Sequence, residues 1–308
     1  MLLAPHPFTL RQLQYLVAVA DRKSFRKAAL DCHVSQPSLS AQVAQAEQSL
    51  GVQIFQRDRR GAVVTAAGQP LIDRARTLSI AAEDLVESAR RLADPFSGTL
   101  RLGAIPTIAP YLLPDLGPTL RKQFPKLRVL WSEEKTDALV DKLGRSELDG
   151  AILALEAEIG DLSQVILGKD MFVFAAAKTH PLATSDRPIR ADELKKEPVL
   201  VLDDGHCFRK QVLSFCSRTG AEEASYRATS LATLVQIAAG EGGITLLPNL
   251  ALKVENRRHS LHIRAFAPKA PFRTLALVWR RNSAREATLR PVGETLRNAY
   301  AHLQTSAG

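Results

Sequence analysis

Apolar residues recur at two different spacings in this chain, and the spacing changes near residue 99. Before that point the repeats are helical. Leu10, Leu13, Leu16, Val17 and Ala20 fall on one face of a helix over residues 9–20. Ser24 can cap a second helix running through Phe25, Ala28 and Ala29. Ser35 can cap a third, with Gln36 and Pro37 in its first turn, where proline is tolerated. Leu39, Val43, Ala46 and Leu50 stripe that third helix, and Gly51 ends it. Two short helices joined by a tight turn make a helix-turn-helix, whose second helix would lie in the major groove of DNA.

A longer repeat follows. Leu71, Ala75, Leu78, Ala82, Leu85, Ala89 and Leu92 alternate steps of four and three, with Pro70 at an early helical position. This is a heptad seam about 33 Å long. It can pack on its own domain or pair two chains. Pairing fits a seam placed just after a DNA-binding unit, because two half-sites need two subunits. Asp94-Pro95-Phe96-Ser97-Gly98 then reads as a hinge.

From residue 99 short β-type runs alternate with helical ones. Strands are expected over Leu100–Ile105, Leu127–Glu133 and Gly150–Leu155, with helices over 111–123 (despite Pro114 and Pro118) and 136–145. A second series runs through Met171–Ala177, Val199–Leu202, a helix over 230–239 and Gly243–Leu247. Strand Thr274–Trp279 and a helix over 285–303 close the chain. The alternation implies two α/β blocks linked twice, hinged around a cleft.

Length and composition agree with several packed units: 308 residues, 45% hydrophobic and 24% charged. No apolar run reaches the roughly 18 residues a membrane span needs, and the N-terminus lacks the pattern of a secretory signal. The net charge of +9 hints at a polyanionic partner, although Arg257, Arg258, Arg280 and Arg281 carry part of it far from the front helices. Three cysteines are too few for a structural disulfide framework and leave redox or metal chemistry open.

Two of those cysteines lie in Asp203-Asp204-Gly205-His206-Cys207-Phe208-Arg209-Lys210-Gln211-Val212-Leu213-Ser214-Phe215-Cys216. A polar glycine turn precedes apolar residues at helical spacing, so Cys207 is expected near a helix start, where the helix dipole favours a thiolate. Asp203 and Asp204 oppose that anion; Arg209, Lys210 and a protonated His206 would favour it. In an unbroken helix Cys216 stands about 13.5 Å further along the axis. A disulfide needs Cα atoms within about 7 Å. Joining the two thiols would therefore require the helix to unravel. Two unrelated thiols on one helix is the other reading. Cys32, between the front helices, reads either as a third redox thiol or, preferably, as a small residue behind the turn.

DDGHCFRKQVLSFC resembles the signature of the peroxide-sensing (OxyR) branch of the LysR-type transcriptional regulators, and SFRKAALDCHVSQPSLSAQVAQAEQSLGVQIFQR resembles their DNA-binding segment. The resemblance implies a winged helix-turn-helix (1–65), a linker and dimerisation helix (66–94) and a redox-sensing regulatory domain (95–308). The last would have two α/β subdomains like those of periplasmic binding proteins, about 95–167 with 268–308, and about 168–267. It implies that Cys207 is oxidised to a sulfenic acid and Cys216 resolves it as a disulfide. By motif matching, peroxide-binding roles fall on Thr107, Thr136, Asp204, His206 and Arg273. Thr107 and Thr136 could instead be helix caps, and Arg273 an exposed strand charge. DNA contacts fall on Ser35, Gln36, Pro37, Ser38, Ser40 and Ala41, with Arg26 and the wing residues Arg57, Arg59 and Arg60. Residues 35–50 hold no Lys or Arg, so phosphate anchoring must come from outside that helix, and part of the specificity from DNA shape. Pairing falls on Leu71, Leu78, Leu85 and Leu92.

The combined expectation is a cytoplasmic regulator that senses hydrogen peroxide, binds double-stranded operator DNA as a homodimer or homotetramer, meets RNA polymerase and is reset by a thiol reductant. It needs no cofactor, metal or membrane and is not an enzyme. The competing readings are a LysR-type regulator of an ordinary metabolite with incidental cysteines, and a thiol peroxidase. A metal site from His206, Cys207 and Cys216 lacks a close-spaced second ligand pair.

Overall fold

The computed structural model describes residues 6–58, 61–91 and 94–306. The chain divides into two compact units, at Arg90/Arg91.

The first unit begins with three helices, α1 (Leu10–Arg22), α2 (Phe25–Asp31) and α3 (Gln36–Leu50). Each starts where a hydroxyl side chain can satisfy an orphan backbone N–H. Thr9 forms a capping box with Gln12, Ser24 accepts from the Lys27 N–H and Ser35 from the Ser38 N–H. Gly51 ends α3 in the left-handed conformation that favours glycine. Leu16, Val19, Ala28, Leu39, Val43, Ala46 and Ile54 form the core. The hairpin of β1 (Phe55–Asp58) and β2 (Gly61–Val64) is the wing. The Glu47 carboxylate fixes its base by accepting the N–H groups of Ile54 and Phe55 at 2.7 and 2.9 Å. Gly61 (φ +128°) lies directly against the residue that ends α1, since a Cβ there would come 2.3 Å from the Lys23 carbonyl oxygen.

Helix α4 (Gln69–Arg91) carries the heptad positions. Its two ends behave differently. Leu71 packs partly against the first unit's own core, which Ile72 and Ala75 complete, so Leu71 is not a free pairing residue. Leu78 and Leu85 are 49% and 72% exposed, with Val86 beside them. Leu92 lies outside the described residues.

The second unit is a nine-stranded sheet. Its first half pairs β4 (Leu127–Glu133), β3 (Gly98–Ala104) and β5 (Gly150–Ala154) in parallel, and β11 (Phe272–Arg280) joins antiparallel to β5. Its second half pairs β9 (Ile244–Pro248), β7 (Pro198–Leu202) and β8 (Glu222–Ala228) in parallel. The halves share β6 (Leu162–Ala177), a 16-residue strand that pairs with β11 early and with β9 and β10 (Leu261–Ala265) late. Sequence pattern predicts a strand only from Met171, and the resemblance implies a subdomain bound at about 167/168. The backbone instead runs through that position as one strand.

Helices α5 (Ala109–Gln123), α6 (Thr136–Gly144) and α10 (Glu286–Ser306) belong to the first half. Helices α7 (Cys207–Thr219), α8 (Leu231–Gly240) and α9 (Asn249–Glu255) belong to the second. Each half has its own core, one around Leu100, Leu139, Ile152, Trp279 and Leu289, the other around Phe174, Val199, Phe208, Val235 and Leu246. Among the described residues no helix is long and apolar enough to cross a membrane.

Two buried carboxylates at a chain–chain seam would have no partner. If the exposed stripe pairs two chains, changing Leu78 and Leu85 together to Asp should therefore dissociate them while the second unit keeps its fold. Sedimentation would check this, and intact oligomers would mean that the exposed stripe pairs nothing.

Candidate functional site

Two surfaces carry the chemistry. In the first unit, α3 presents Ser35, Gln36, Pro37, Ser38 and Ala41 to solvent, with Ser40 half-buried. Arg26 is exposed on α2. Arg22, at the end of α1, pairs its guanidinium with Asp31 at the surface. Arg57 stands on β1 opposite Ala62, and its side chain, with Arg59 and Arg60, lies outside the described residues. Cys32 caps the C-terminus of α2, half-buried against the unit's core. Burial and neighbouring Asp31 raise its thiol pKa, which fits the small-residue reading.

In the second unit three strands of the sheet run into loops that open helices. The turn after β3 carries Thr107, the turn after β4 leads to Thr136, and the turn after β7 carries Asp203 to His206. Ligand sites in α/β sheets form at such strand ends.

Arg273, on β11, ties the first of these loops to Asp170 on β6. It is fully buried on β11, not an exposed strand charge. Its Nη1 donates to Thr107 Oγ1 at 2.7 Å and its Nη2 to the Thr107 carbonyl at 2.8 Å. Its Nε donates to Asp170 Oδ2 at 3.0 Å, and Asp170 Oδ1 also accepts the Leu250 N–H. The guanidinium stands 5.7 Å from the Phe208 ring, the residue after Cys207. Thr107 is thus held by a cation and is no helix cap; α5 is preceded by Ile108, without a side-chain cap.

Thr136 is the first residue of α6 and is buried. Its hydroxyl has no hydrogen-bond partner among the described residues. A buried hydroxyl left unpaired costs about 1–3 kcal/mol, and such a group is a ready donor to a small polar ligand.

His206 precedes α7 and is buried. Its Nε2 lies 3.1 Å from Asp203 Oδ1, close enough to pair but out of line for a hydrogen bond. Burial and then the Lys135 charge hold its pKa below the usual imidazole value, against Asp203 and a backbone hydrogen bond with Thr229. The ring is therefore biased toward neutral, and a cationic His206 beside Cys207 is disfavoured.

Asp204 is not brought to this cluster. Its carboxylate is exposed and faces outward, accepting from Arg209 Nε and Arg227 Nη1, each at 3.1 Å. Its effect is on the helix. Arg209, buried within α7, donates also to the Leu202 carbonyl at 3.1 Å and pairs with Glu223 at 2.9 Å. One side chain between the two cysteines pins α7 to β7 and β8.

The cysteines themselves are free, buried, and in different cores. Cys207, at the first turn of α7, packs into the core of the first half, whereas Cys216, near the other end, packs into that of the second. Burial raises the Cys216 thiol to about 11. Three further residues were not legible as site residues: Asp170, Lys135 and Gln211. Gln211 lies one turn beyond Cys207, and both polar atoms of its amide are buried without a partner among the described residues. Its i+4 spacing from Cys207 was the available signal. Among the described residues no three of His, Cys, Asp and Glu cluster as metal ligands would.

Comparison with known proteins agrees over nearly the whole chain. Residues 10–69 match the family of bacterial regulatory helix-turn-helix proteins, lysR family, and residues 93–301 match the LysR substrate binding domain. A hydrogen peroxide-inducible genes activator of Pectobacterium carotovorum is 40% identical over 297 residues, covering 96% of this chain and 97% of its own. The DNA-binding transcriptional dual regulator OxyR of Escherichia coli is 40% identical over 289 residues, 94% of either chain. Among solved structures, a full-length OxyR variant of Pseudomonas aeruginosa superposes with a TM-score of 0.73 at 31% identity, covering 95% of this chain and 96% of its own. A Corynebacterium glutamicum OxyR mutant bound to hydrogen peroxide gives 0.66 at 32% identity, covering 99% and 97%.

Two outcomes follow from this geometry. Arg26→Ala should weaken binding to all DNA sequences alike and reduce the slope of log affinity against log salt by about one, whereas Gln36→Ala should change preference among sequences. Folding raises the Cys216 pKa from 9.0 to about 11. The reduced protein's stability from this group is thus complete below pH 9 and lost as pH climbs toward 11. Denaturant unfolding at pH 10 should show a loss of about 1 kcal/mol relative to pH 8 that is absent in Cys216→Ala.

Proposed function

The chain belongs to the LysR family of bacterial regulators, on its OxyR branch, and from that premise we propose that it is a DNA-binding transcription regulator switched by hydrogen peroxide. The observation that carries the reading is the placement of Cys207 and Cys216 on one helix but in two separate cores. The Cys207 thiolate attacks one peroxide oxygen. The O–O bond breaks, Cys207 becomes a sulfenic acid, and the departing hydroxide takes a proton to become water. The Cys216 thiol then attacks the sulfenic sulfur, closing a disulfide and releasing a second water. A cellular dithiol reductant reverses the bond.

The residues around Cys207 suit the first step. Hydroxyls of Thr107 and Thr136 can hydrogen-bond a small peroxide. Arg273 orients and polarises the Thr107 hydroxyl, which favours the charge growing on the leaving oxygen. Neutral His206 can accept or donate one proton. Asp204 acts at a distance, through its pairing with Arg209, on the stability of α7. Neither half of the sheet can accommodate the disulfide without releasing part of its core, so oxidation is transmitted as a change in shape.

The regulator works in the cytoplasm as a homodimer or homotetramer on paired operator half-sites, contacts RNA polymerase, and consumes peroxide once per reduction rather than by turnover. Mass spectrometry after brief peroxide exposure tests the order of events. Cys207→Ser should form neither sulfenic acid nor the disulfide and should leave DNA contacts unchanged. Cys216→Ser should still form the sulfenic acid at Cys207 but pass on to sulfinic acid that thiols do not reverse. Sulfenic acid appearing first at Cys216, or peroxide-dependent DNA contacts in Cys207→Ser, would contradict the proposal.

A further inference from the structure

Lys135 reaches from one half of the second unit to the other. It precedes Thr136 as the N-cap of α6 but makes no side-chain cap there. Its Nζ donates instead to the Asp204 carbonyl at 2.6 Å and to Asp203 Oδ1 at 3.2 Å, both in the turn that leads into α7. The same Asp203 oxygen lies 3.1 Å from His206 Nε2. Gly205 makes room for this crossing. Its φ is +87°, and a Cβ on it would come 2.9 Å from Lys135 Cδ, so the lysine stem lies directly over the turn. The ends of the crossing adjoin the two groups the chemistry needs. Thr136, with its unpaired buried hydroxyl, follows Lys135, and Cys207 follows His206.

We infer that Lys135 is a positioning residue for the peroxide reaction, a strap through Asp203 and the 203–205 turn that fixes the spacing between the Thr136 hydroxyl and the Cys207 thiol. The inference rests on the function proposed above and deepens it. Arg273 locks Thr107 from β11, but no described contact of the Thr136 side chain locks it to α7. That alignment falls to the strap. Lys135 is only partly buried and Asp203 likewise, so their removal leaves both cores intact. Its effect should therefore be on alignment, not on folding.

The test compares two reagents on Cys207 in the full-length reduced protein. Hydrogen peroxide needs the aligned hydroxyls to stabilise its leaving oxygen; iodoacetamide carries its own leaving group and does not. Lys135→Met keeps the stem and removes the charge. It should slow sulfenic acid formation about ten-fold, roughly the loss of one charge-assisted contact. Iodoacetamide alkylation of Cys207 should change less than about two-fold. Lys135→Arg, which can still span the turn, should restore most of the peroxide rate. Asp203→Asn should slow the peroxide step, and combining it with Lys135→Met should add little, because both changes break one strap. Equal slowing with both reagents, no slowing with peroxide, no rescue by arginine or fully additive losses would overturn the inference. A wild-type Cys207 that ignores peroxide would overturn the function proposed above, and the strap with it. A reactive wild type with an unaffected Lys135→Met would remove the strap alone.

Discussion

Eight helical residues, 208–215, hold the two sulfurs apart, and the chemistry proposed for the second unit depends on that separation. A helix rises about 1.5 Å per residue, so no rotamer change brings Cys216 to Cys207 while α7 is intact. The two thiols also face different cores, which makes the separation a property of the fold and not only of the helix. Closing the disulfide must pull Val212, Phe215 or Cys216 from the second core and break the Arg209 contacts to Leu202, Asp204 and Glu223. Each large apolar side chain taken from a core costs about 1.5–3 kcal/mol. For a two-electron couple about 1.4 kcal/mol corresponds to about 30 mV, so this cost raises the reduction potential of the bond. A disulfide bought this way is readily reduced, which suits a signal that must be reset and would not suit a structural crosslink.

The charges near Cys207 divide into those that hold the site and those that hold the helix. Arg273, Asp170 and Thr107 form a buried, connected network anchored on β11 and on β6, the strand that the halves share. Such a network loses much when one member is removed, since the others are left buried and unpaired. Asp204, Arg209, Arg227 and Glu223 form a more exposed network on the far side of the 203–206 turn. In the function proposed here, the first would position a ligand oxygen and the second would have to break for α7 to open. Among the described residues, Thr136 and Gln211 keep buried polar atoms without partners, a local cost carried by the reduced state.

The parts of this arrangement that sequence exposes are those written in local spacing. The caps at Ser24 and Ser35, the stripe of α3 and the start of α7 after Gly205 all follow from residues within one or two turns. The sheet strands with alternating or continuous apolar runs were equally legible. Strand β8 was not, because Glu222–Ala228 has no run of large apolar residues and is mostly exposed at the sheet edge, and the short α9 and β10 carry too few residues for a period to emerge. The early part of β6 was missed because its interior Gly168-Lys169-Asp170 reads as a turn. Its carboxylate meets Arg273 across 103 residues, a pairing that no local pattern encodes. Thr107 and Arg273 were singled out by resemblance, and the structure brings them together through a hydrogen bond. Asp204 came from the same resemblance, yet its side chain turns outward, because two arginines outside the cluster offer it better partners.

Amide hydrogen exchange across residues 208–216 tests the central claim most directly. In the reduced protein these amides are protected by the intact helix. After stoichiometric oxidation, with the Cys207–Cys216 disulfide verified by mass spectrometry, exchange there should accelerate and return to its original rate with dithiothreitol. The core strands β3, β5 and β11 should change little. A verified disulfide with unchanged exchange across this segment would contradict the account, because it would mean that the two sulfurs meet without the helix between them opening.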